Sequence, residues 1–308
     1  MNSDELTVVL GCAALAPSVH NTRPWILEAN GDTVEVRADR SRQLKYLDPT
    51  GRQLHLSCGA AIEFGFLGAR AIGRRCDVAV VPDPADPDLL ARLMVGGPEP
   101  ATFADRMLVD AMPSRHTNRR PYADRAVPPG VIEDIHQRAS EMGAWTHDLD
   151  RPGDRAVVAG VLAMAERAEA ADADYATELD EWTDRSDRRG LAVAAVADHW
   201  PSERVSDVPL RDFGGHDQHP RPGGPGEDAP PAVERDLLLM FGTSRDDPAA
   251  WITAGRALGW ALLRAAAAGV SAQPLGQAID LPRGRDRLRH ELGLVGYPQF
   301  VVRMGFAE

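Results

Sequence analysis

The sequence predicts a fold that mixes helices with strands and contains two similar units, and three observations lead to this prediction. Two long segments, 51–73 and 248–269, are rich in small and apolar residues on most sides, which is typical of buried helices. Short apolar runs such as DVAVVP and LLLMFG indicate strands between the helical patterns. The two long helices also resemble each other in residue spacing, which suggests an internal repeat.

Capping and turn residues set the expected bounds of the elements. Asp48-Pro49 and Asp247-Pro248 each offer a helix N-cap followed by proline in the first turn, and an Asn-Gly-Asp turn predicts a β-hairpin. The expected helices span 3–15, 51–73, 84–93, 131–142, 155–182 and 248–269. The expected strands are the hairpin at 26–38 and the runs at 77–82 and 237–242. Proline-rich 16–25 breaks the chain between the first helix and the hairpin.

The repeat rests on four matched positions in the two long helices. Placing Ser57–Gly73 beside Thr253–Gly269 aligns Gly59 with Gly255, Ile62 with Leu258, Phe66 with Leu262 and Gly73 with Gly269. The identity is slight, so the residues alone leave open whether the two helices are related or merely alike. If they are related, they form a stacked pair of units that bury one another's faces.

Composition and charge exclude several classes of protein. Of 308 residues 44% are hydrophobic, which suffices for a buried core, and 46 acids against 34 bases give a net charge of −12. That charge disfavours nucleic-acid binding. Three widely spaced cysteines, Cys12, Cys58 and Cys76, argue for a reducing compartment and against a disulfide or zinc framework. Without a basic leader or a long apolar run, the chain is expected to be cytoplasmic, with no membrane contact.

A long segment around 200–232 differs from the rest in its density of Pro, Gly, Asp and His. A stretch of this length inside a compact chain is typical of a lid or an insertion. His216 and His219 in this segment have the spacing of metal ligands, but a Gly/Pro-rich loop gives them no rigid surroundings. We interpret them as lid histidines and expect no metal site.

Arg115, Thr117 and Arg119 form a compact group of hydrogen-bond donors within an acidic chain. Arginine suits bidentate binding of phosphate, and a hydroxyl can add a short hydrogen bond. Taken alone, the group fits a salt-bridged surface turn better than a binding site.

Two further loops offer polar groups on a rigid backbone. The segment Pro17–Trp25 presents Ser18 and Asn21 between prolines, and Pro274–Gln277 forms a turn whose backbone N–H groups could face a ligand. Each also has a simpler interpretation, as a helix-to-strand connection and a helix-to-helix turn respectively.

Together these segments resemble the nitroreductase superfamily, and its Acg family of FMN-binding proteins in particular. The residues that carry the resemblance are APSVHNTRPW, RHTNRRPY, the T-x-x-D-x-x-x-x-W-x-x-A-G-R-A-L run that begins at Thr243, PLGQAIDLP and PQFVVRMGF, so it spans nearly the whole chain. It implies an α+β nitroreductase-like fold with mixed or antiparallel sheets flanked by helices. It also implies two fused half-units, 1–108 (degenerate) and 109–308, that form an intramolecular pseudo-dimer. Because the motif in APSVHNTRPW occurs only in the first half and the motif in RHTNRRPY only in the second, the resemblance implies one complete FMN site.

The resemblance also implies roles for the site residues. Arg115, Thr117 and Arg119 would hold the phosphate and ribityl chain, Ser18 and Asn21 would face the flavin, and backbone N–H groups at 275–277 would approach N5. The expected flavin-binding set is Pro17, Ser18, Asn21, Arg23, Arg115, Thr117, Arg119, Pro274, Leu275, Gly276 and Gln277. Arg23 and Thr117 depart from the usual Gln and Ser, and the chain ends at Glu308, before a basic segment that relatives usually have.

The implied activity is transfer of hydride from NAD(P)H through FMN to an electron-poor acceptor such as a nitroaromatic or a quinone. The chemistry then takes place on FMN N5, and no side chain is expected to be catalytic. Two alternatives remain open: a protein that stores or shields FMN under a lid without turnover, and a structural protein without a cofactor. The chain is expected to be a monomer or a homodimer.

Overall fold

The computed structural model describes residues 1–183, 189–191, 204–206, 208, 232–233 and 235–307. Its contacts divide the chain into two compact units. Unit 1 consists of Met1–Arg115, Pro129–Thr146 and Phe241–Gly269, and unit 2 consists of His116–Pro128, His147–Met240 and Val270–Glu308. The units interleave along the chain and are thus a different division from the expected halves 1–108 and 109–308, which stay a prediction. Most of the expected lid around 200–232 lies outside the described residues.

The described residues combine α-helices and β-strands, which confirms the α+β class. The helices are α1 Ser3–Ala14, α2 Arg52–Ala71, α3 Phe103–Ala111, α4 Pro129–Glu141, α5 Pro152–Ala170, α6 Ala173–Glu181, α7 Pro248–Ala267, α8 Gln277–Asp280 and α9 Pro282–Glu291. The strands are β1 Trp25–Asn30, β2 Thr33–Ala38, β3 Arg74–Val80, β4 Leu89–Pro98, β5 Ala144–Asp148, β6 Arg204–Val205, β7 Ala232–Val233, β8 Leu237–Thr243, β9 Ser271–Leu275 and β10 Tyr297–Gly305. None of the helices described is both long and apolar enough to cross a membrane.

Unit 1 contains an antiparallel sheet of order β1-β2-β4-β3, with α2 packed against its apolar side. β1 and β2 form the expected hairpin, in which Trp25 pairs with Ala38. The helix expected at 84–93 is wrong, because Leu89–Pro98 is a strand. From Ala91 onward its burial alternates with the period of two that one-sided packing of a sheet requires.

Three other elements differ from expectation. The single helix expected at 155–182 is two helices, because the Asp172 side chain accepts hydrogen bonds from the backbone N–H groups of Asp174 and Tyr175 and starts a new helix there. The segment after α7 is not a helix-to-helix turn but the strand β9. Asp247 caps α7 as expected, whereas α2 has Gly51 as its N-cap. The Asp48 carboxylate accepts hydrogen bonds from the backbone N–H groups of Gln53 and Leu54 in the first turn of α2.

The two helices matched in the sequence cross at their matched glycines. A Cβ atom on Gly59 would lie 2.3 Å from the carbonyl oxygen of Ile252, and one on Gly255 would lie 2.1 Å from that of Leu56. Both distances are shorter than atoms tolerate, so the backbones of α2 and α7 approach this closely only because the side chains are absent.

The contact is reciprocal. Gly59 contacts Ile252, which lies three residues before Gly255, and Gly255 contacts Leu56, which lies three residues before Gly59. The two contacts are therefore equivalent under the match of the two helices. A second pair follows the same rule, since Gly259 packs on Ala60 while Glu63 bonds to Arg256. Reciprocal pairs of this kind are what two equivalent elements related by a two-fold rotation make.

Glu63 of α2 is an ion buried within this crossing. Its carboxylate is fully buried and accepts hydrogen bonds from Arg256 Nε at 3.0 Å and Nη2 at 2.8 Å, while Arg138 Nη2 of α4 lies 3.4 Å from the other oxygen. A buried charge is retained only with such partners, so α2, α4 and α7 are held in one register.

Unit 2 contains β9 and β10, which pair antiparallel and belong to the sheet of order β5-β8-β10-β9. β10 is buried along almost its whole length, and its Gly305 lies under the ring of Tyr122. Gln273 of β9 pairs with Arg303 of β10, so these two side chains lie on the same face of the sheet. Helices α5, α8 and α9 pack together in this unit.

Gly255→Ala should destabilise the protein by about 3 kcal/mol, because the added methyl group overlaps backbone atoms of α2 that no side-chain movement can clear. Gly11→Ala is the matched control, because its Cβ meets nothing within 4 Å in the middle of α1. The control should gain up to about 1 kcal/mol from helix propensity. Urea denaturation measures both, and equal effects would contradict the close crossing.

Glu63→Gln should cost about 3–5 kcal/mol, since it leaves Arg256 and Arg138 facing a neutral group in a buried position. Glu141→Gln is the control, because Glu141 also contacts Arg138 but is half exposed. Its removal should change the free energy of unfolding by less than about 1 kcal/mol. A small effect of Glu63→Gln would mean that the buried ion pair is not a constraint on the helices.

Candidate functional site

The loop between α1 and β1 in unit 1 has an unusual backbone. His20, Asn21 and Arg23 have φ angles of 42°, 54° and 49°, in the left-handed region that residues with a side chain avoid. Each such residue costs of order 1–3 kcal/mol and persists only where the surroundings enforce it. Concentrated strain of this kind is common where a loop presents groups to a ligand.

Helix α2 supplies two of the bonds that enforce this conformation. The Ser57 hydroxyl accepts a hydrogen bond from the backbone N–H of Val19 at 3.0 Å and donates to the carbonyl of Gln53 at 2.7 Å. The thiol of the next residue, Cys58, donates to the carbonyl of Pro24 at 3.2 Å. The loop is therefore fixed at both ends to one turn of α2.

Hydrogen bonds within the loop connect three of the expected site residues. The backbone N–H of Arg23 donates to Ser18 Oγ at 2.8 Å, and the Nε of Arg23 donates to Asn21 Oδ1 at 3.2 Å. Pro17, Ser18 and Asn21 are partly exposed and Arg23 is exposed. These groups are thus held together and accessible on the surface of unit 1.

Arg115 lies just after α3 in unit 1, and its side chain is partly buried with no carboxylate partner among the residues that the structure describes. Its backbone N–H continues the helix to Ala111, but its Nε is buried and has no hydrogen-bond partner in the part of the chain that the structure describes. Burial lowers the pKa of Arg115 because desolvation penalises the charged form. A guanidinium in this state fits an anion such as phosphate, which would supply the missing acceptor.

In unit 2 Thr117 and Asn118, from the later part of the arginine motif, run beside β9. Thr117 forms a parallel bridge with Ala272, and the backbone N–H of Asn118 donates to the Ala272 carbonyl at 3.2 Å. Thr117 and Arg119 are partly exposed. The structure thus places Thr117 and Asn118 beside Ala272, which lies two residues before the expected site residue Pro274.

The turn after β9 uses its residues differently from expectation. Gly276 has a φ of −64°, so the turn does not depend on the conformational freedom of glycine. The Gln277 side chain donates to Glu169 of α5 at 2.9 Å, and Leu275 and Gln277 are buried. Pro274 is partly exposed. Backbone groups of this turn stay the predicted contacts.

Sequence reasoning assigned no role to Asn118 and Gln273, two buried amides beside the motif. Asn118 Nδ2 and Gln273 Oε1 are buried and have no partner among the described residues. Because Thr117 bridges Ala272 in a parallel arrangement, the next residue on each strand points to the same face. A strand pattern at 271–275 would have placed Gln273 on a buried face. The segment was expected to be a turn, so this signal was missed.

Curated relatives of the chain come from Mycobacterium tuberculosis. "Putative NAD(P)H nitroreductase Rv3131" is 32% identical over 99% of this chain and 86% of its own length. "Putative NAD(P)H nitroreductase acg" is 28% identical over 100% of this chain and 90% of its own length. The "uncharacterized protein Rv3127" is 28% identical over 97% of this chain and 86% of its own length. No protein-family model matches the chain.

A solved structure, the FMN and NADPH-dependent nitroreductase NfnB from a Sphigopyxis strain, aligns with 65% of this chain and 88% of its own at 16% identity and a TM-score of 0.39. A superposition of that quality does not by itself establish a common fold. The sequence similarity to Rv3131 covers almost the full length of this chain and most of the relative. The chain therefore belongs to the Acg-like family of the nitroreductase superfamily and has its α+β nitroreductase-like fold.

Proposed function

We propose that this chain binds one FMN and acts as an NAD(P)H-dependent oxidoreductase. The observation that carries the proposal is Arg115, a desolvated guanidinium in the arginine motif whose Nε has no partner among the described residues. The names of the relatives as NAD(P)H nitroreductases support the reaction class.

The arginine motif is proposed to bind the phosphate and ribityl chain. Arg115 and Arg119 would donate charge-assisted hydrogen bonds, and the Thr117 hydroxyl would donate a short one. A phosphate on Arg115 would offset the cost of burying its charge without an acceptor, which is of order 1–3 kcal/mol for an unsatisfied group.

The strained loop and the turn after β9 are proposed to bind the ring system. Ser18 and Asn21 would hydrogen-bond to its polar edge, with Pro17 and Arg23 beside them. The backbone N–H groups of Leu275–Gln277, which follow Pro274, would approach N5. When bound, FMN would supply hydride transfer at N5 between NAD(P)H and an electron-poor acceptor such as a nitroaromatic or a quinone. The protein positions the cofactor and stabilises negative charge on it.

Two further properties are proposed. The reciprocal contacts of α2 and α7 support an internal pseudo-dimer, which would allow a monomer to hold a complete site. The three cysteines are all free and buried, which supports a reducing, cytoplasmic location.

Arg115→Ala should weaken FMN binding by about 100-fold, because a charge-assisted hydrogen bond of about 1.5–3 kcal/mol is lost. Arg106→Ala is the control, since Arg106 is an exposed arginine on α3 and should not contact the cofactor. Flavin absorbance after FMN addition and desalting measures retention, and titration gives the dissociation constant. Equal affinity in both variants would refute the phosphate assignment.

Anaerobic addition of NADH or NADPH to the FMN-loaded protein should bleach the flavin absorbance, because the nicotinamide donates hydride to it. Retained flavin that stays oxidised with both nicotinamides would contradict the oxidoreductase and favour the alternative, a protein that stores or shields FMN. Absence of retained flavin in the unmodified chain would contradict the cofactor assignment itself.

Ser57→Ala should speed amide exchange at Val19 about 5–10-fold, because the N–H loses a hydrogen bond of about 1 kcal/mol. Thr7→Ala is the control, since its hydroxyl makes an exposed hydrogen bond to the Ser3 carbonyl within α1. Hydrogen-exchange mass spectrometry on a peptide covering the loop measures the change. Unchanged protection in Ser57→Ala would show that α2 does not hold the loop.

A further inference from the structure

We propose that Arg23 determines substrate specificity by selecting electron acceptors that carry a negative charge, such as nitroaromatic carboxylates. The inference rests on the proposed function, because it takes the loop that holds Ser18 and Asn21 as part of the substrate site. It goes beyond that function in naming the charge of the acceptor and the residue that recognises it.

The backbone of Arg23 is fixed on both sides. Its N–H donates to Ser18 Oγ at 2.8 Å, and its carbonyl accepts from Arg42 Nη1 at 2.7 Å. The residue has a φ of 49° and precedes a proline, which limits it further. A residue held this way despite the strain does not reorient freely, so its side chain leaves the loop in one direction.

The side chain is fixed at its base and accessible at its tip. Arg23 Nε donates to Asn21 Oδ1 at 3.2 Å, which places the guanidinium directly beside a residue assigned to the flavin edge. The residue as a whole is exposed. Its terminal nitrogens are therefore available to a molecule that occupies the same loop.

The charge of Arg23 is not compensated by any carboxylate of the residues described, whereas its neighbours have theirs. Arg42 Nε lies 2.8 Å from Asp39 Oδ2, and Arg40 Nε lies 2.8 Å from Asp88 Oδ1. The carboxylate of a bound acceptor would be the partner of Arg23.

Guanidinium is well suited to this role because its planar fork matches a carboxylate and stays charged at all working pH values. A glutamine at this position would offer one amide dipole and no charge. The interaction would be partly screened because the site is open to solvent, so it should favour one acceptor over another by about tenfold rather than govern binding altogether.

The test compares 4-nitrobenzoate with 4-nitrobenzamide, which share the ring and the nitro group and differ in charge. In each turnover NAD(P)H gives a hydride, a proton is taken from solvent, and the nitro group becomes a nitroso group and water. The readout is the ratio of kcat/KM for the two acceptors with the FMN-loaded full chain. A ratio cancels differences in flavin content and in stability between variants.

Arg23→Gln should lower this ratio about tenfold, which is the loss of one partly screened charge-assisted hydrogen bond. Arg23→Lys should recover part of it, and Arg106→Gln, an exposed arginine on α3, should leave it unchanged. Raising the salt concentration should reduce the wild-type ratio toward that of Arg23→Gln. A ratio that is the same in wild type and Arg23→Gln, with both acceptors reduced, would overturn the assignment.

Binding of benzoate gives a second readout that does not require turnover. Calorimetric titration of the oxidised, FMN-loaded chain should yield a dissociation constant that rises about tenfold in Arg23→Gln. If no flavin is retained or reduced, the proposed function fails. Benzoate titration of the flavin-free chain then tests by itself whether Arg23 binds a carboxylate. Weaker benzoate binding in Arg23→Gln there supports an anion site, and no binding or equal binding overturns it.

Discussion

The close crossing of α2 and α7 is the constraint on which the rest of unit 1 depends. At Gly59 and Gly255 the two helices touch backbone to backbone, so neither can rotate or slide without bringing side chains into the contact. This fixes the orientation of every other residue on α2. Ser57 and Cys58, which hold the strained loop, adjoin Gly59 in sequence, and the loop conformation therefore follows from the helix crossing. A small displacement of α2 would release both bonds at once.

Buried polar groups give this helix pair its specificity. An apolar helix surrounded on all sides could pack in several registers of similar energy. Glu63 removes that choice because its carboxylate is fully buried and only one register places Arg256 against it. The buried ion pair adds little net stability compared with an apolar contact, since desolvation opposes the Coulomb attraction. Its effect is that the wrong registers are costly, which keeps the strained loop in a single geometry.

The residues predicted two buried helices with matched glycines, but they left open whether the helices are related and did not predict the crossing. Gly59 could be matched with Gly255 because the two helices share the spacing of their small and apolar residues, whereas the close approach of the two backbones at these glycines is a tertiary contact. The strand at Leu89–Pro98 was missed because an acidic turn precedes it and short apolar runs fit both a helix and a strand. The residue types at Arg115 and Arg23 were visible in the sequence. Whether an arginine finds a carboxylate is decided by tertiary contacts, and that could not be predicted.

Arg115 and Arg23, neither of which has a carboxylate partner among the described residues, differ in exposure, and exposure determines what each can contribute. Arg115 is desolvated, so an anion that reaches it gains a strong interaction and removes an existing penalty, which favours tight and permanent binding of a cofactor phosphate. Arg23 is exposed, so solvent screens its interaction and the gain is modest. A modest gain suits an acceptor that must leave after each turnover, because an ion pair as strong as that of a buried arginine would slow product release. In the proposed function, the difference in burial would thus let one arginine retain the cofactor while another selects the substrate.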